Sequence, residues 1–125
     1  MDLKAENVVL DSVTNLLFIV DFGSASPLCR RTNSEKKLLD FCVPTGTLRY
    51  SAPENWKRGF ESEASDFWGL GVILKQLLCL ISQHRGSDDF NFSMFDPLLQ
   101  NLLKVDPEKR WKSVEVLHFL RNLRI

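Results

Sequence analysis

Asp2-Leu3-Lys4-Ala5-Glu6-Asn7, followed fourteen residues after Asn7 by Asp21-Phe22-Gly23, is the stretch on which the reading of this chain turns. Between the two segments lie Val8-Val9-Leu10 and Leu16-Leu17-Phe18-Ile19-Val20, short apolar runs rich in β-branched residues, separated by the turn-forming Asp11-Ser12-Val13-Thr14-Asn15. A β-hairpin follows, with Asn7 at its start and Asp21 at its exit, so that both can reach one metal ion. Taken alone, Asp2 to Asn7 reads as a polar terminus; the hairpin joining it to Asp21 is what gives it chemistry. Two carboxylates, one lysine and one side-chain amide form a set suited to moving a phosphoryl group. Asp2 can accept a proton from an attacking hydroxyl, Lys4 can neutralise charge building on a phosphate, and Asn7 and Asp21 offer the oxygen ligands that Mg²⁺ prefers.

Three further segments continue in register with this one. Gly46-Thr47-Leu48-Arg49-Tyr50-Ser51-Ala52-Pro53-Glu54 contains G-T-x-x-Y-x-A-P-E, Asp66 opens a long apolar segment, and Asp106-Pro107-Glu108-Lys109-Arg110 contains D-P-x-x-R. With D-x-K-x-x-N at Asp2–Asn7 and D-F-G at Asp21–Gly23, the chain resembles the eukaryotic protein kinase family from its catalytic loop almost to the C-terminus. The resemblance implies a mainly α fold with a small β-hairpin, that of a kinase C-lobe, with the N-lobe absent. It divides residues 1–125 into a catalytic loop at 2–7, a metal motif at 21–23, an activation segment at 24–54, a central helix at about 66–81 and C-terminal helices at about 95–123.

The same resemblance assigns roles. Asp2 is the expected catalytic base, and Lys4 and Thr47 approach the acceptor hydroxyl, the pattern of serine/threonine kinases. Lys4, Asn7 and Asp21 bind the cofactor, with Asn7 and Asp21 as Mg²⁺ ligands. Asp66 supports the catalytic loop, and Arg110 forms a largely buried ion pair with Glu54. Thr32, Ser34 and Thr45 are candidate phosphorylation sites, where added charge would pair with arginine. ATP and Mg²⁺ are expected only with a completing N-lobe. The sequence contains no G-x-G-x-x-G before a strand and no V-A-I-K lysine, and Met1 stands where the family has an arginine before the catalytic aspartate. The expected function is therefore phosphoryl transfer from Mg-ATP to protein Ser/Thr hydroxyls when completed, with the chain alone inactive. The alternative is an inactive free C-lobe acting as a kinase-binding regulator or decoy.

Composition sets the remaining bounds. The 125 residues are 44% apolar and 26% charged, with 16 acidic and 16 basic side chains. That suits one globular domain and gives no electrostatic reason to bind nucleic acid. The expected partner is a protein substrate or another kinase. Cys29, Cys42 and Cys79 are odd in number and match no metal spacing, so reduced thiols and an intracellular, cytoplasmic location are expected. No signal peptide is evident. The longest apolar run, Phe67 to Ile81, is interrupted by Lys75 and Gln76, which argues against membrane insertion.

The central helix is apolar nearly all round and should be buried on most sides, with Ser65 or Asp66 as its cap. Gly69 and Gly71 within it point to close packing. Ser82 to Asp89 reads as a loop shorter than the corresponding region of the family. Asp96 and Ser113 are the expected caps of two later helices, the first reaching Val105. His118 reads as a rim or core histidine and His84 as an exposed loop residue.

Overall fold

The computed structural model describes residues 2–25, 48–58, 62–85 and 91–123. Thr32, Ser34, Thr45 and Thr47, with Cys29 and Cys42, lie outside the described residues. Two antiparallel strands, β1 (Val8–Asp11) and β2 (Leu16–Ile19), are followed by α1 (Pro53–Arg58), α2 (Glu63–Arg85), α3 (Asp96–Leu102) and α4 (Ser113–Asn122). Single 3₁₀ turns at Ala5–Asn7, Leu48–Tyr50, Phe92–Phe95 and Pro107–Lys109 join or precede them.

The hairpin pairs Val8 with Ile19, Val9 with Phe18, Leu10 with Leu17 and Asp11 with Leu16. Its turn is held by Asp11, whose carboxylate accepts from the Val13 amide at 2.9 Å and the Thr14 hydroxyl at 2.6 Å. Those hydrogen bonds, Thr14 foremost, hold the Asp11 carboxyl below its ordinary range. Asn15 closes the turn at φ 56°, a left-handed conformation that asparagine tolerates better than most residues.

α2 runs from Glu63 to Arg85, longer at both ends than the expected 66–81. Ser65 and Asp66 are therefore not its caps but residues of its first turn. The Ser65 hydroxyl accepts from the Ser62 amide at 3.2 Å and also reaches α1, donating to Asn55 Oδ1 at 2.8 Å. A tertiary partner for that hydroxyl is what sequence spacing could not reveal. At the other end, Ser82, Gln83 and His84 continue the helix rather than opening a loop; His84 is exposed in its last turn.

α2 is the packing centre, but only over its first half. A Cβ at Gly69 would lie 3.0 Å from the Leu3 carbonyl oxygen, and one at Gly71 would lie 2.9 Å from both Leu102 Cβ and Leu103 Cδ2. The two glycines let the Leu3 backbone and the end of α3 approach α2 closely. Further along, Leu77 and Leu80 are half-exposed and Cys79 is exposed, so the expected burial on most sides does not extend to this half. Glu63–His84 is long and apolar enough, by length and composition alone, to cross a membrane. Averaged over eighteen residues, the segment's hydropathy tolerates Lys75 and Gln76, which an unbroken-run criterion does not.

Leu98, Leu102 and Val116 form the core, with Phe67, Leu70, Leu74, Phe95, Trp111 and Phe119 packed around them. Trp111 and Phe119 meet at a tilt, 5.8 Å between ring centroids. Asp96 is the first residue of α3, not its cap, because the 3₁₀ turn Phe92–Phe95 runs directly into the helix and Phe95 takes the cap position. α3 ends at Leu102, short of Val105: the Lys104 carbonyl is turned instead to the Arg110 guanidinium. In α4 the cap is Lys112, one residue before Ser113, and its amide is satisfied by Glu115 Oε2 at 3.0 Å.

Candidate functional site

Lys4 and Asp2 sit on one short loop, and their side chains meet, Nζ to Oδ2 at 2.9 Å, with 24% and 16% of each exposed. The hydrogen bond to Asp2 raises the Lys4 pKa, outweighing partial desolvation, so the ammonium is charged throughout the neutral range.

Asn7 is buried, and its Nδ2 donates to the Asp2 main-chain carbonyl at 2.9 Å. The amide is thereby oriented, because committing the nitrogen to the catalytic loop leaves the oxygen as the atom available to a cation. The Asn7 carbonyl accepts from the Val20 amide at 2.9 Å, which closes the base of the hairpin and brings Asp21 to the residue beyond Asn7's partner. Asp21 has φ 62°, a left-handed backbone that costs a non-glycine residue free energy and often marks a functional position. Its Oδ1 accepts from the Gly23 amide at 3.2 Å, and the side chain is otherwise exposed. This strained geometry had no sequence signal beyond the D-F-G string.

These oxygens suit Mg²⁺, which takes one or two protein ligands and completes its shell with water and phosphate oxygens. Among the described residues there is no cluster of three or more His, Cys, Asp or Glu able to hold a metal by protein groups alone. Asn7 and Asp21 offer oxygen atoms of the kind Mg²⁺ takes, at the start and the exit of the hairpin.

The loop is supported from beneath by α2. Asp66 stands in its first turn, partly buried, three residues before Gly69 and so on the face that meets Leu3. Farther below, Glu54 and Arg110 form a bidentate pair, Nη1 to Oε1 at 2.6 Å and Nη2 to Oε2 at 3.0 Å. The guanidinium also donates to the Ala64 carbonyl at 2.7 Å and twice to the Lys104 carbonyl, so all five of its N–H groups have partners. It lies over the Trp68 ring at 5.1 Å. Burial is the largest single influence on Glu54 and opposes its ionisation, but the hydrogen bonds from Arg110, the backbone and Ser65, with the charge of Arg110, together outweigh it and hold the carboxyl below its ordinary value. His118 is exposed on α4, with Asn122 Nδ2 bonded to its carbonyl at 2.7 Å, and takes no part in the site.

Sequence reading missed one feature near the loop: Arg49, Tyr50 and Gln76 form a hydrogen-bonded group beside it. Gln76 gave no signal, because a lone polar residue in an apolar helix has many structural explanations.

Residues 1–120 match the family model described as protein kinase domain. Ribosomal protein S6 kinase alpha-6 of Homo sapiens is 34% identical over 138 aligned positions, covering 98% of this chain and 18% of that protein. The alignment is longer than the chain, so the relative carries residues that this chain lacks. Serine/threonine-protein kinase grp of Drosophila melanogaster is 40% identical over 77 residues, 62% of this chain and 14% of the relative. Myosin light chain kinase 2, skeletal/cardiac muscle, of Oryctolagus cuniculus is 39% identical over 90 residues, 71% of this chain and 14% of the relative. The chain thus spans less than a fifth of each of these proteins. Matched over nearly its whole length, and carrying the oriented Asp2, Lys4 and Asn7 beside Asp21, the chain belongs to the protein kinase domain family.

Proposed function

We propose that these residues form the catalytic-loop and metal-binding half of a serine/threonine protein kinase, transferring the γ-phosphoryl group of Mg-ATP to a protein hydroxyl. The observation that carries the reading is the joint geometry of Asp2, Lys4 and Asn7: a carboxylate paired to an ammonium at 2.9 Å, with the metal-type amide tied to the same loop. Asp2 accepts the proton of the acceptor hydroxyl as its oxygen bonds to the γ-phosphorus and the bond to the bridging oxygen breaks, releasing ADP. Lys4 offsets the charge on the transferring group. Asn7 Oδ1 and the Asp21 carboxylate would hold Mg²⁺, which when bound neutralises phosphate charge. Thr47 is assigned beside the acceptor by its match to G-T-x-x-Y. The intact set favours transfer over a decoy role. The free Cys79 thiol is in keeping with an intracellular, cytoplasmic setting.

The test is phosphate transfer from Mg-ATP to Ser- and Thr-containing peptides by the polypeptide that joins these residues to a nucleotide-binding half. Asp2→Asn and Asp21→Asn are each expected to lower kcat by 100-fold or more, the order seen for loss of a general base or an electrostatic stabiliser. Transfer that survives both substitutions would overturn the assignment.

A further inference from the structure

Trp111, Val114, Phe119 and Leu123 line an open groove of about 620 Å³ along one side of α4, and none of the candidate site residues belongs to it. Trp111 and Phe119 are half-buried, meet at 5.8 Å and pack on the core cluster, so the aromatic part of the lining is held in place. Val114 at its edge is 74% exposed, a β-branched side chain that gains little burial among the described residues.

Two polar groups of the lining offer acceptors. Glu115 is its one carboxylate, and no lysine or arginine among the described residues lines it. Glu115 Oε2 accepts from the Lys112 amide at 3.0 Å, which fixes the group, and its charge meets no ion-pair partner among the described residues. Asn122 Nδ2 is committed to the His118 carbonyl at 2.7 Å, so its oxygen is the atom left to accept. Glu115 and Asn122 stand seven residues apart on α4 and hence on one face, about 10 Å along the axis. His118, the third polar residue of the lining, can accept or donate. An apolar lining edged by acceptors and an uncompensated carboxylate is complementary to an apolar side chain flanked by cations. The groove follows one face of a ten-residue helix, the geometry in which a second helix docks through anchors one turn apart.

We propose that this groove docks a basic amphipathic helix of a partner protein, with an apolar side chain on Trp111 and Phe119 and a lysine or arginine one turn away at Glu115. The probes are two fluorescein-labelled helical peptides of fourteen residues that carry the same three leucines on one face, flanked by lysines in one and by glutamates in the other. Each is titrated with the full chain and followed by anisotropy. The lysine peptide is expected to bind about five-fold more tightly than the glutamate peptide, the scale of an exposed ion pair. Glu115→Gln retains an acceptor for the Lys112 amide but removes the charge, and should bring the two peptides to equal affinity. Val114→Gln, at an exposed position outside the core, should weaken both by about three-fold through lost apolar contact. Thermal unfolding of each variant checks that it is folded. Equal binding of the two peptides by the unaltered chain, binding of neither, a preference that survives Glu115→Gln, or affinities unmoved by Val114→Gln would each overturn the proposal.

Discussion

At the scale of single residues, the most constrained group is Arg110. It is 2% exposed and has all five donors occupied by Glu54, Ala64 and Lys104. A buried pair of this kind adds little net stability over an apolar substitute, but removing one partner strands the other in a low-dielectric interior. Arg110→Ala and Glu54→Gln are each expected to lower unfolding free energy by about 3–5 kcal/mol, measured by urea titration. Stability should also depend on pH. The folded-state pKa of Glu54 is depressed from its ordinary value of 4.5, so its contribution is complete above that value and is lost as pH falls through the lower, folded-state value. Asp11 acts in the same direction. The unfolding midpoint should therefore fall in acid below about pH 4.5, and Glu54→Gln should flatten that fall as well as lower the neutral-pH plateau.

Among the elements, α2 sets the geometry, and its two glycines mark where. Helix propensity alone makes Gly→Ala favourable by about 1 kcal/mol. At Gly71 the added methyl would meet Leu102 Cβ at 2.9 Å and Leu103 Cδ2 at 2.9 Å, a contact that forces α2 and α3 apart. Overpacking of this kind costs about 1–3 kcal/mol, so Gly71→Ala is expected to be net destabilising in a denaturant titration. At Gly69 the methyl would meet the Leu3 backbone at 3.0 Å, directly beneath Asp2 and Lys4. There the expected loss is in transfer activity more than in stability, because a displaced catalytic loop misaligns the base while the core around Leu102 is untouched.

Over the whole molecule, burial is uneven. α2, α3 and α4 share a core, whereas the hairpin leaves Leu10, Leu17 and Phe18 half-exposed or more, and Phe22 of D-F-G is 61% exposed. The described residues include the proposed metal ligands Asn7 and Asp21 and the proposed base Asp2, and the sequence holds no glycine-rich phosphate loop. Mg-ATP at millimolar concentration is therefore expected to leave the thermal midpoint of the 125-residue chain unchanged, since a ligand raises it only by binding the folded state. A saturable rise would show that these residues bind nucleotide by themselves.

The sequence by itself determined the hairpin, the candidate catalytic and metal-binding residues, and the choice of Glu54 and Arg110 as a pair. The hairpin rests on local alternation of apolar and turn residues, whereas the candidate site residues and the Glu54–Arg110 pair, 56 positions apart, were legible only through the resemblance of their short motifs to a known family. Tertiary structure decided what depends on contact between distant segments. Helix ends moved because caps were drawn from neighbours, as when the Ser65 hydroxyl turned to Asn55 and the Lys104 carbonyl to Arg110. The left-handed backbone of Asp21, the approach of Gly69 to Leu3, and the capture of Arg49 by Gln76 likewise arise from packing. A linear pattern records which groups are present. Only the fold fixes which of them come within the 3 Å or so over which hydrogen bonds and close contacts act.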